Sequence, residues 1–564
     1  MKRGVSEMGK QKSREPEGSG QLVFRSQDRV GAIDAEEDGE FLKECFVDNG
    51  DLGRLKDVRL PDRIVLGRTG VGKTALLQRV VETSEHATWV KPEALALSYI
   101  SNSTILKYFE GLGVKLDVFY KLLWRHVFCV EILSRKFPTE ADGRVTIWDK
   151  LRSLVRSASE RKAVEYLRNW GGEKFFEQTE ERVKEVTRKL EKSLEGSIGG
   201  SAKHGDDASA SAEVKSRKAM TEEQKSEVVQ RAQAVINAAQ VEELNGILEL
   251  VNGVLVDDQR PHLIVIDRLD EDWVEEDLRY KLIMALIETV KDFRKVQNAK
   301  IIIALREDLI ERVFRRARPV GFQAEKYATL YLRVTWSKER LRDMLSLRIN
   351  VLLRDRYSAR RTLTIDEVLP PGSKGGIDYM LERTFLRPRD LIQFFNECLT
   401  HTEGRTATIS NSIVRRAEEA YSRKRLESVE DEWRVDYPSL ELLVPSLLRG
   451  RSESFDFQSL LDQRFDDACL DIAVTDEPPK LDPLDKACRK CADSTSAREE
   501  CLREILAILF RTGIVGVKLS TKQKVQWAQG REVSLRASEI GPETRIEVHK
   551  MFLRALDIDQ RQAP

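Results

Sequence analysis

The stretch DRIVLGRTGVGKTALLQRV, Asp62 to Val80, decides how the chain is read. Ile64, Val65 and Leu66 form an apolar strand, and a glycine-rich turn follows. Ala75, Leu76, Leu77, Val80 and Val81 then recur on one side of a helix. Between strand and helix, Gly67, Gly72, Lys73 and Thr74 match the spacing G-x-x-x-x-G-K-[ST], and Gly70 adds a permissive backbone position. Glycines let backbone N–H groups close around an anion with no Cβ in the way, and a helix N-terminus adds its positive end. The reading is a phosphate loop for ATP made by Gly67, Arg68, Thr69, Gly70, Val71, Gly72, Lys73 and Thr74. Lys73 reaches the β- and γ-phosphates, and the Thr74 hydroxyl is a ligand for Mg²⁺.

A second stretch answers the first. HLIVIDRLDEDW, His262 to Trp273, runs an apolar strand into Asp267, Asp270, Glu271 and Asp272. So much negative charge at a strand end is unfavourable without a cation. Asp267 is therefore expected to hold Mg²⁺, and Glu271 or Asp270 to polarise the attacking water, with Glu271 preferred. A solvated acidic helix start is the plainer alternative for Asp270 onward.

Two further runs complete a sheet. Ile301 to Leu305 is a fully apolar strand ending at Arg306, and ATLYLRVTW alternates until Ser337, an expected helix N-cap. Strands alternating with helices, with motifs at strand C-termini, predict a parallel α/β sheet whose ligand sits in the C-terminal crevice.

These motifs resemble the AAA+ and STAND side of the P-loop NTPases. The form VIDRLDED, with Arg268 directly after the aspartate, departs from the usual AAA+ pair and is closer to the STAND and KAP pattern. In FLRPRDLIQFFNECL, Pro388 suits a first helical position, and Leu391, Phe394, Phe395, Cys398 and Leu399 keep helical spacing. The resemblance to KAP and origin-recognition-like ATPases implies that Arg389, with Arg387 as second choice, reaches the γ-phosphate from a helical lid. It also implies that Arg306 is a phosphate sensor at a strand end; pairing with Glu307 or Asp308 is the alternative.

The whole is expected to be an α/β P-loop NTPase core with a helical insertion, a helical lid and a winged-helix-like C-terminal domain. The expected divisions are a disordered tail over 1–34, core over 35–104, insertion over 105–255, core again over 256–340, lid over 341–430 and C-terminal region over 431–564. The insertion reads as a helical hairpin: Val183, Val186, Leu190 and Leu194 make an apolar seam, and Thr221 to Gln224 form a capping box. Near the C-terminus a helix is followed by two strands and then by a helical IEVHKMFLRAL. Lys518, Lys522, Lys524 and Arg531 surround Trp527, a setting suited to phosphate contact with DNA.

Bulk properties fit such a protein. The 564 residues exceed one core, and 94 basic against 94 acidic residues exclude a general polyelectrolyte binder. No apolar run is long enough for a membrane helix, and the opening has no hydrophobic signal core, so a cytoplasmic protein away from membranes is expected. Seven scattered cysteines suggest reduced thiols; Cys488, Cys491 and Cys501 lack a fourth zinc ligand at sensible spacing. The first expectation is an ATP-hydrolysing switch of STAND or KAP type, homo-oligomeric and acting on a protein partner or effector, with a bacterial regulatory or anti-phage role implied by resemblance. The rival is a DNA-acting loader or remodeller.

Overall fold

The computed structural model describes residues 23–92, 116–137, 157–170, 246–255, 260–317, 323–358, 361–372, 375–402, 404, 408–474, 482–529 and 535–558. The hairpin seam, the capping box and Arg531 lie outside the described residues. The chain divides into two compact units, Asp48–Thr335 and a second built from Met1–Val47 with Trp336–Pro564.

The first unit is a five-stranded sheet in the order β2-β3-β4-β1-β5, with β1 Ile64–Leu66, β2 Ala87–Val90, β3 His262–Ile266, β4 Ala299–Leu305 and β5 Tyr331–Arg333. All neighbouring strands are parallel, so their C-terminal ends face one way. Strands β1, β3 and β4 are buried along their whole length, which is why residues 64–66, 263–266 and 301–305 read as apolar runs. Around the sheet lie α1 Asp51–Lys56, α2 Lys73–Glu82, α3 Asp117–Lys136, α4 Ala158–Trp170, α5 Glu276–Asp292 and α6 Glu307–Arg316. Helix α5 is buried over most of its length, and the buried Trp124 of α3 donates its indole N–H to the Leu282 carbonyl at 2.9 Å. A five-stranded parallel sheet with flanking helices fits an α/β P-loop NTPase-like core. Because β4 lies between β1 and β3, the ends of those three strands are neighbours, at roughly 4.8 Å per strand.

The second unit contains α7 Lys338–Tyr357, α8 Pro388–Thr400, α9 Asn411–Trp433, α10 Leu440–Leu448, α11 Gln463–Val474, α12 Pro483–Asp493 and α13 Arg498–Thr512. Ser337 caps α7 by accepting the Arg340 N–H at 3.3 Å, as its position predicted. The five apolar residues singled out on α8 are all buried. Residues 23–34, expected in a disordered tail, are instead packed here: Phe24 and Val30 join the apolar core. Residues 35–47 also group with this unit rather than with the sheet. The reason is a buried ion pair between Asp38 and Arg348 of α7, which holds the segment from inside.

A three-stranded antiparallel sheet, order β6-β8-β7, follows, made of β6 Ser454–Asp456, β7 Val515–Lys518 and β8 Arg545–Val548. The expectation of a helix over IEVHKMFLRAL is corrected. Ile546 and Val548 are buried while Arg545 is exposed, the two-residue period of a strand, and only Lys550–Phe552 make a short 3-10 turn. His549 is half-buried at the start of that turn and accepts the Met551 N–H at 3.2 Å, edge-on to the rings of Phe385 and Trp527. Trp527 covers Gly516, where a Cβ would come within 2.7 Å of the ring, so only glycine fits.

Candidate nucleotide site at the ends of β1, β3 and β4

Strand β1 stops at Leu66 and α2 begins at Lys73. Gly70 and Gly72 between them have φ of 77° and 96°, left-handed values that a side chain would resist. Gly72 caps α2, and its carbonyl accepts the Leu76 N–H at 3.0 Å. The Lys73 ammonium folds back over the loop, donating to the Gly67 carbonyl at 2.9 Å and the Arg68 carbonyl at 3.2 Å. Burial lowers the Lys73 pKa, opposed by the charges of Asp267 and Asp270.

The Thr74 hydroxyl donates to Asp267 Oδ2 at 2.7 Å, joining the start of α2 to the end of β3. Asp267 is buried, and burial raises its pKa. The Thr74 hydroxyl, the Arg268 N–H and Lys73 pull the other way. A buried carboxylate oxygen beside a hydroxyl oxygen is the hard donor set that Mg²⁺ takes, so the residues present fit that ion.

The acidic turn is shaped by two arginines. Arg268 has φ of 61°, and its N–H donates to Asp267 Oδ1 at 2.9 Å, kinking the chain directly after the metal-type aspartate. The buried Arg279 of α5 donates to the Glu271 carbonyl at 2.7 Å and to Asp272 Oδ1 at 2.6 Å, pinning the turn from below. Sequence reasoning missed Arg279, since nothing in its own neighbourhood signals a contact eight residues back.

The two candidate bases face different partners. Glu271 pairs with Arg268 at 3.4 Å, whereas Asp270 pairs with Arg306 at 3.4 Å across the ends of β3 and β4. Asp270 is among the charges acting on both Lys73 and Asp267. Of the acids after Arg306, Glu307 goes to Arg333 at 3.0 Å and Asp308 turns back onto Arg306. The structure thus brings Lys73, Thr74, Asp267, Asp270 and Arg306 to the neighbouring ends of β1, β3 and β4.

Arg387 and Arg389 belong to the other unit. Arg387 precedes α8 and is buried, with Glu432 at 3.5 Å and the Phe385 ring centroid at 4.9 Å. Arg389, in the first turn of α8, is partly exposed and donates to the exposed Asp34. Asp390 is instead taken inside, where it accepts the Phe385 N–H at 2.9 Å and pairs with Arg425 at 3.2 Å.

Residues 339–430, which take in α8 and most of α7 and α9, match the family described as the FunZ-associated C-terminal helical domain. No curated protein matches the chain. Among solved structures, a Walker-type ATPase of Pyrococcus abyssi is similar at 12% identity over 89% of this chain and 96% of that one, with a TM-score of 0.32. At that score the likeness adds nothing to the geometry above.

Other candidates look structural. Cys469 of α11 meets Cys488 and Cys491: its hydrogen bond with Cys488, together with burial, pushes its thiol up, and the hydrogen bond with Cys491 acts against that. All seven cysteines are buried and free, and among the described residues no group of three or more His, Cys, Asp or Glu is placed to hold a metal ion. No described helix is long and apolar enough to cross a membrane.

Proposed function

We propose that this chain binds and hydrolyses ATP with Mg²⁺ and uses the nucleotide state as a switch. The observation that carries the reading is the 2.7 Å contact between Thr74 and Asp267 beside Lys73, at the mouth of a glycine loop on a parallel sheet. Thr74 and Asp267 would hold Mg²⁺, which would supply charge neutralisation of the phosphate oxygens. The backbone N–H groups over Gly67 to Thr74 cradle the phosphates, and Lys73 exchanges two loop carbonyls for phosphate oxygens. Asp270 orients and deprotonates the attacking water in this reading, because its charge reaches Lys73 and Asp267; Glu271, preferred on spacing, is the alternative. Arg306 offers positive charge to the γ-phosphate from the end of β4. Phosphate release from ATP and Mg²⁺, measured for the wild type and Lys73→Ala, tests the proposal. Equal release by both proteins, with equal binding of a fluorescent ATP analogue, would overturn it.

The resemblance to STAND and KAP ATPases supports the finer reading of a homo-oligomeric switch that controls a separate effector protein in bacterial regulation or defence. Arg389 suits the lid's γ-phosphate sensor because a cation in a helix's first turn favours an anion, and its exposed partner Asp34 is exchangeable. A DNA-acting remodeller is the second reading. It is favoured by helices α11 to α13 beside a three-stranded antiparallel sheet, a winged-helix-like layout, with Lys522 and Lys524 exposed next to β7. Against it, Trp527 is spent on packing over Gly516. Stimulation of phosphate release by duplex DNA separates the two.

A further inference from the structure

Arg306 leaves β4 and immediately meets Asp308 in the first turn of α6. Its Nε donates to Asp308 Oδ1 at 3.0 Å and its Nη2 to Oδ2 at 3.0 Å, a two-toothed contact that fixes the guanidinium plane. The remaining Nη1 is aimed at Asp270 Oδ2, 3.4 Å away. Arg312, one turn further along α6, closes on the same Asp308 carboxylate from behind and lays its Nε 3.4 Å from the Asp308 carbonyl. Asp308 and Arg312 are both buried.

The charge count matters here. Arg306 and Asp308 alone would be neutral and would offer little to an anion. Arg312 restores a net single positive charge to the trio. Two guanidiniums outweigh the effect of burial, which alone would raise the Asp308 pKa, and its carboxyl is held below the usual range.

We propose that Asp308, backed by Arg312, is a positioning residue that orients Arg306 so that its Nη1 edge faces the γ-phosphate and Asp270. The proposal rests on the reading of Arg306 as a phosphate-contacting arginine. A γ-phosphate competes with Asp270 for that edge, so its arrival frees the Asp270 carboxylate to act on water. Without the fork, the long Arg306 side chain samples other rotamers, and the trade between Asp270 and phosphate loses its geometry. Misorientation of this kind acts on turnover more than on binding.

The test compares Arg306→Ala, Asp308→Asn and the double variant in the full chain, by steady-state ATP hydrolysis and ADP binding. Asp308→Asn raises the trio's net charge to two, so KM for ATP should stay within about twofold, while kcat falls roughly tenfold or more. The double variant should be no slower than Arg306→Ala, since Asp308 acts only through that arginine. Wild-type kcat in Arg306→Ala sinks the underlying reading and the proposal together. A slow Arg306→Ala with a wild-type Asp308→Asn overturns the positioning role alone, as do additive losses in the double variant. If Asp308→Asn fails to bind ADP and has not folded, Arg306→Lys decides. Lysine keeps the charge but cannot make the fork, so a kcat near that of Arg306→Ala supports the proposal and a wild-type kcat overturns it.

Discussion

Thr74 and Asp267 stand 193 residues apart in the chain and 2.7 Å apart in space, hydroxyl to carboxylate. Their meeting needs no chance alignment of loops. Thr74 lies in the first turn of the helix after β1, Asp267 directly follows β3, and β4 spaces the two strands so that helix start and strand end meet over it.

Lys73→Ala should abolish detectable ATP binding, because it removes the ammonium held over the loop carbonyls that the proposed function assigns to the phosphates. Asp267→Ala should leave metal-free nucleotide binding measurable while removing its enhancement by Mg²⁺. Titrating a fluorescent ATP analogue with and without Mg²⁺ checks both; unchanged Mg²⁺ enhancement in Asp267→Ala would take that residue out of the site.

The two carboxylates can be separated by turnover. Asp270→Asn should keep ATP affinity within a few-fold and cut kcat by roughly 10²–10⁴, the range for losing a general base. Glu271→Gln, which loses its pairing with Arg268, should cut it by less. The reverse order in single-turnover phosphate release would hand the role to Glu271.

Arg389→Ala should leave ADP affinity nearly intact, weaken the preference for ATP and slow hydrolysis. An arginine on the transferring phosphoryl group is worth up to roughly 10³–10⁵ in rate. Arg387→Ala should act differently. It removes a buried cation facing Glu432 and should lower the melting temperature more than it changes nucleotide preference. Equal ATP over ADP preference in Arg389→Ala and wild type would leave Arg389 as a surface partner of Asp34.

Lys300 gives a pH signature unconnected with catalysis. Burial pushes its ammonium down to about 7, helped by Arg63 and Arg54 and opposed by Asp62 and Asp57. Its Nζ donates to the Arg54 and Asp57 carbonyls at 2.9 and 2.8 Å. The unfolded chain keeps that proton up to roughly pH 10.4, whereas the folded chain releases it near 7. Between those values the unfolded state binds more protons, so this group makes stability rise with pH. Urea unfolding of wild type and Lys300→Met at pH 7 and 9.5 should show the wild type gaining relative to the variant at the higher pH. A difference that shrinks would contradict the buried-ammonium assignment.

The glycine-rich loop and β1, β3 and β4 were legible in the sequence because each is a local matter. Glycines at 67, 70 and 72 declare a backbone conformation, and unbroken apolar runs ending in Asp267 or Arg306 declare buried strands with polar ends. Ser337 and Pro388 likewise announced their helices through neighbours a few residues away. The stretch Arg545–Val548 did not, because four alternating residues inside a longer apolar run fit a helix or a strand; pairing with β6 and β7 settled it. Residues 23–47 looked like tail and core edge, since only their partners Arg348 and Asn396, more than 300 residues on, reveal that they are packed. The partners of Asp270, Arg279, Asp308 and Arg312 were hidden for the same reason. An ion pair carries no periodicity, and which acid meets which arginine depends on distances that exist only once the sheet has brought the strand ends together.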